Sequence, residues 1–152
     1  MANLAAPLTA MPTTIRSALV LLAGVVAAVL VVMVMDGIVA RVYPLAPGTD
    51  LRNPESMRQA VAALPAAAFA LLVVGWALAA GVGAYIAARF ATHARATHGL
   101  IVALFVLVAT VSNLARIPHP VWMWPAAIIL IPLAGWAATS LIARSKRMDV
   151  AA

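Results

Sequence analysis

Few side chains in this sequence are equipped for chemistry, and the most suggestive are Asp36, Arg41, Asn113, Arg116 and His119. Asp36 is the one acidic residue beside a long apolar run, with Arg41 five residues on; Asn113 precedes Arg116 by three, and His119 follows between two prolines. An acid at a membrane boundary is a functional hypothesis by default, and its partner should be named. Here the partners are Arg41 and Arg116. Two uses fit the set: Asp36 pairs with an arginine to fix loop geometry, or the five groups form a polar mouth that binds a ligand. A second group, His93, Arg95 and His98, promises less. A spacing of five does not stack two imidazoles on one helix face, where three or four would, and no acid lies nearby. Ser112 and Ser140 lack a histidine or acid at comparable depth, and neither a Gly-Lys-Ser/Thr phosphate loop nor a Gly-x-Ser-x-Gly elbow is present. Cysteine is absent, which excludes disulfides, thiolate metal sites and thiol nucleophiles. The expectation is no catalytic residue, no metal and no cofactor.

The elements that must position these residues follow from composition. Of 152 residues, 66% are hydrophobic and 9% charged, with mean hydropathy +1.08. Soluble domains average about 45–50% apolar and about 25% charged, so this chain cannot cover a water-facing surface. That excludes a soluble enzyme, a nucleic-acid-binding module and a disordered tail. The net charge of +6 does not point to nucleic acid, because the basic residues lie between apolar runs rather than in one patch; they read as topology signals and as attraction to anionic lipid headgroups. Membrane lipids are the expected surroundings.

A spanning helix needs about 20 mostly apolar residues. The sequence predicts an all-α polytopic membrane four-helix bundle, one domain over 1–152, with spans near 17–40, 64–88, 99–115 and 121–143. Pro125 and Pro132 fall inside the last, where neighbouring helices can satisfy freed carbonyls. The first span outruns a signal-peptide core of about 7–15 residues and no small-x-small site closes it, so it reads as retained. With both termini on one side, that side holds Arg16, Arg89, Arg95, Arg144, Lys146 and Arg147, against Arg41, Arg52, Arg58 and Arg116 opposite. The positive-inside rule then makes both termini cytoplasmic. The outer loop, 41–59, begins with rigid Pro-rich turns; Asn53-Pro54-Glu55 reads as a capped helix start.

Spans two and four repeat a pattern. Pro65-Ala66-Ala67 precedes Gly75-Trp76-Ala77 by ten residues, as Pro125-Ala126-Ala127 precedes Gly135-Trp136-Ala137. Two pseudo-repeated hairpins would generate this, and so would chance in Ala-rich helices. In span two, Gly75, Ala79, Gly83 and Ala87 make a small-residue ridge of the kind that lets helix backbones approach. The ridge serves either packing within the bundle or a homodimer seam. Trp76 and Tyr85 are expected at the lipid or headgroup boundary, and Trp122 and Trp124 in the interfacial aromatic belt.

The loop Tyr43-Pro44-Leu45-Ala46-Pro47-Gly48-Thr49-Asp50, followed by Pro54, Gly75-Trp76 and Pro118-His119-Pro120 with Trp122, resembles a group of small, functionally uncharacterised four-helix proteins of bacterial inner membranes. The resemblance covers roughly half the chain. It implies the four-span architecture and a bacterial inner membrane, and it carries no activity with it. Two functional expectations result. One is a non-enzymatic interaction or scaffold subunit that forms a homo-oligomer or joins a larger membrane complex. The other is a carrier of a small molecule or lipid that uses a cleft near Asp36.

Overall fold

The computed structural model describes residues 12–50 and 52–151, with side chains as far as Arg144. The basic cluster after the last span is therefore described only at Arg144; the side chains of Lys146 and Arg147 lie outside the described residues. Among the described residues five helices follow in order: α1 (Thr13–Val42), α2 (Pro54–Ala62), α3 (Ala66–Phe90), α4 (Arg95–Arg116) and α5 (Met123–Ala151). Four of them, all but α2, are long and apolar enough to cross a membrane, with α5 counted over Met123–Arg144. This is an all-α bundle with the architecture of a multi-pass integral membrane protein.

Prolines set several boundaries, since a residue before proline is driven out of the α region. Ile117, before Pro118, is extended (φ −112°, ψ 129°) and ends α4; Tyr43, before Pro44, leaves the helical region (φ −128°, ψ 70°) and ends α1. Pro65 is the N-cap of α3. Pro125 occupies the first turn of α5, where a missing N–H costs nothing, and only Pro132 lies in the helix interior. The outer connection is built as the sequence predicts. Pro47-Gly48 makes a turn in which Thr49 N–H donates to the Ala46 carbonyl (3.2 Å) and Gly48 takes φ +84°. The Asn53 side chain then caps α2, accepting from the N–H groups of Glu55 (2.9 Å) and Ser56 (3.3 Å).

α3 is the hub and packs on α1, α4 and α5, while α1 lies mainly on α3 and touches α4 less. In lipid, such contacts come from close van der Waals fit rather than from water exclusion. Glycine provides the fit at each interface. A Cβ on Gly24 would stand 2.8 Å from the Gly83 carbonyl oxygen, and one on Gly83 would stand 2.7 Å from that of Gly24. A Cβ on Gly75 would meet the Met35 side chain at 2.8 Å, one on Gly99 the Ala84 carbonyl oxygen at 2.8 Å, and one on Gly135 the Ala103 methyl. Gly75, Ala79, Gly83 and Ala87 are all buried, and Gly75 and Gly83 face α1 of the same chain. The ridge is thus packed within the chain. Trp76 corrects a second expectation: it is 5% exposed, inside the bundle, whereas Trp136 in the matching triplet is 58% exposed. The sequence similarity of the two hairpins does not extend to the surroundings of their tryptophans. Tyr85 does lie on the outer surface.

Candidate ligand cleft at Asp36

The helix ends decide which polar groups meet. α1 continues to Val42, so Asp36 is two turns inside a helix rather than at its exit. Five residues at about 100° each put Arg41 some 140° around the helix from Asp36. Arg41 and Arg116 are exposed, and neither pairs with Asp36: among the described residues the one ion pair is Arg58–Glu55, at 3.5 Å on the surface of α2. Nor does the Asp36 carboxylate accept a hydrogen bond from any described residue. Of the five groups singled out in the sequence, Asp36, Asn113 and His119 come together; Arg41 and Arg116 do not join them.

The three line a gap between helices. Cβ atoms on Gly24 and Gly83 would both touch Val102 of α4, at 3.0 and 2.9 Å, so α1, α3 and α4 are in close contact at that level. Nearer Asp36 a cleft of about 290 Å³ lies between α1 and α4. Val32, Met33 and Asp36 form one wall and Phe105, Ala109 and Asn113 the other, with Trp76 of α3 behind them. A second cavity of about 300 Å³ continues beneath the outer loop and α2, lined among others by Tyr43, Met57, Val61, Phe69 and His119. Asp36, Trp76 and Asn113 line both, so the two are parts of one groove that runs from the bundle flank to the outer loop. Volumes near 300 Å³ lie at the lower end of the range for small-molecule sites.

His119 is held firmly. Its flanking prolines restrict the loop, and its Nδ1–H donates to the Ile117 carbonyl at 2.7 Å. That leaves Nε2 of the neutral ring as an acceptor. The ring stands edge-on to Phe69 and Trp76, with centroids 6.1 and 6.3 Å away, within the range of favourable aromatic pairs. Trp76 and Phe69 are site residues that the sequence reading missed. The signal was present in helix phase, because Trp76, Ala80, Gly83 and Ala87 follow one another at steps of four, three and four along the buried face.

At the opposite end of the bundle, His93 and His98 depart from expectation. Their ring centroids lie 5.5 Å apart and nearly perpendicular. His98 is buried and its Nδ1–H donates to the Ala94 carbonyl at 3.0 Å. No group of three or more His, Cys, Asp or Glu able to hold a metal exists among the described residues. Ser112 and Ser140 donate to carbonyls of their own helices, at 2.8 and 2.9 Å, as hydroxyls in spanning segments commonly do. No protein-family model, curated protein or solved structure matches this chain.

Proposed function

We propose that this chain binds an amphiphilic small molecule or lipid, taken laterally from the bilayer into the cleft between α1 and α4. One observation carries the reading. Asp36, Asn113 and His119, with Trp76, line a groove whose walls are mostly apolar, that opens on the bundle flank and that extends under the outer loop. A pocket of apolar walls with a few convergent polar groups is the ordinary form of a ligand site. We place the chain in a bacterial inner membrane with both termini in the cytoplasm, on the Lys and Arg distribution and the resemblance of its loop. No enzymatic step belongs to this reading.

The competing role, an interaction or scaffold subunit, draws on a different surface. α1 is the least enclosed spanning helix, 17% buried over its apolar window against 44% for α3, and its outer face is open to a partner helix. One experiment separates the two. With Trp122, Trp124 and Trp136 replaced by phenylalanine, Trp76 becomes the sole tryptophan. In nanodiscs containing a lipid brominated on its acyl chains, Trp76 fluorescence is quenched if chains enter the cleft, and Ala109→Phe, which fills the cleft, removes most of that quenching. An unquenched Trp76, together with cross-linking of α1 to another protein, would overturn the ligand reading in favour of the interaction role.

A further inference from the structure

We infer, building on the cleft reading above, that the ligand carries a positively charged alkylammonium head on an apolar body, with the head at Asp36 and the body along the α1–α4 wall. The argument is one of charge and donor complementarity. Asp36 has neither ion-pair nor hydrogen-bond partner among the described residues, and no Lys or Arg lines either part of the groove. Asp36 is exposed on a membrane-spanning helix at the rim of the groove, and an ionised carboxylate in such a segment is costly unless a counter-charge joins it. The polar groups nearest along the groove are also suited to accept: the His119 ring has donated its Nδ1–H already, and the Asn113 amide offers a carbonyl oxygen. Trp76 and Tyr43 add aromatic faces, which attract ammonium groups and attract them more strongly when water is excluded.

Other ligand classes fit less well. An anionic head would meet Asp36 and find the four arginines of the outer side, Arg41, Arg52, Arg58 and Arg116, outside the lining. A bare metal cation demands several oxygen ligands, and one carboxylate with one amide does not provide them. The remaining lining, Val29, Val32, Met33, Phe105 and Val106, suits an alkyl chain or aliphatic body. An ammonium head on such a body is found both in amine-bearing phospholipids and in free organic cations, and the two share the chemistry that Asp36 recognises.

The test uses the Trp76-only protein in a neutral maltoside detergent, read by fluorescence, with three probes of equal chain length: dodecylammonium, dodecanol and dodecanoate. Dodecylammonium should bind at least tenfold more tightly than dodecanoate. Asp36→Asn should weaken dodecylammonium by tenfold or more while leaving dodecanol unchanged, and Asp36→Glu should restore much of the loss. The wild-type comparison of cation with anion stands even if Asp36→Asn fails to fold. Equal affinities for the three probes would overturn the charged-head inference and leave the cleft reading standing, whereas failure of all three to perturb Trp76 would sink the cleft reading itself. Native mass spectrometry of the purified protein then separates the sources. Retained phosphatidylethanolamine that Asp36→Asn releases supports a lipid occupant, and dodecylammonium binding with no retained amine lipid supports a free cation.

Discussion

Ala94 holds φ 44° at the N-cap of α4, a left-handed conformation that costs an L-residue about 1–2 kcal/mol. The strained turn brings His93 back against His98, which is how imidazoles five residues apart come to pack. Spacing rules for a helix face presuppose one continuous helix, and here His93 precedes the helix that contains His98. Ala94→Gly should remove the Cβ penalty. After allowance for about 0.4–1 kcal/mol of added freedom in the unfolded chain, a net stabilisation of about 0.5–1 kcal/mol remains, measurable as unfolding in mixed detergent. A destabilised variant would mean that the turn is not strained as its φ implies. Asp36 illustrates a similar limit of legibility. Its proximity to Asn113 and His119 was readable from the ends of the apolar runs, but pairing with Arg41 depended on the helix stopping before Arg41. The helix instead continues to Val42 and carries Arg41 to another face.

The helices themselves were legible because an uncharged run of spanning length has few alternatives in a chain this apolar. Their inward faces were less so. α3 is Ala-rich and apolar around its whole circumference, so hydrophobic contrast does not mark the packed side, and Trp76 looked like a boundary residue although it shares the phase of the glycines. The crossing of α1 and α3 makes a direct prediction. Gly83→Leu should destabilise the bundle strongly, because its Cβ alone would stand 2.7 Å from a backbone oxygen that has no room to withdraw. Oligomeric mass in detergent should stay as in the wild type until the protein unfolds; a wild-type dimer that becomes a folded monomer would contradict the packing described for Gly83. Gly37→Ala, by contrast, meets nothing within 4 Å and should be tolerated or mildly stabilising in the same unfolding assay. The outer helix α2 is a separate element, attached through its cap and its apolar face. Asn53→Ala should cost about 1 kcal/mol locally, seen as faster hydrogen exchange over 55–59 with the spanning helices unchanged.

At the scale of the whole molecule, the single span between them, α3, puts the 43–50 loop and the 91–94 turn on opposite sides of the bilayer. The absence of cysteine makes this simple to check. In intact cells a membrane-impermeant maleimide should label Ala46→Cys and should reach Thr92→Cys only after permeabilisation. The reverse pattern would invert the proposed orientation while leaving the bundle intact. Architecture was readable from composition and run lengths, and a cleft near Asp36 belonged to the carrier expectation; its walls on α1 and α4 with Trp76 behind were not readable, because they depend on how whole helices pack, which no single residue encodes. That packing has a mechanical meaning. α1 is held against α3 at two levels, Gly24 on Gly83 and Met35 on Gly75, eleven residues or about 16.5 Å apart along the helix. With Met35 pinned beside Asp36, the carboxylate stands on a fixed wall, and the cleft would pinch or widen by movement of α4.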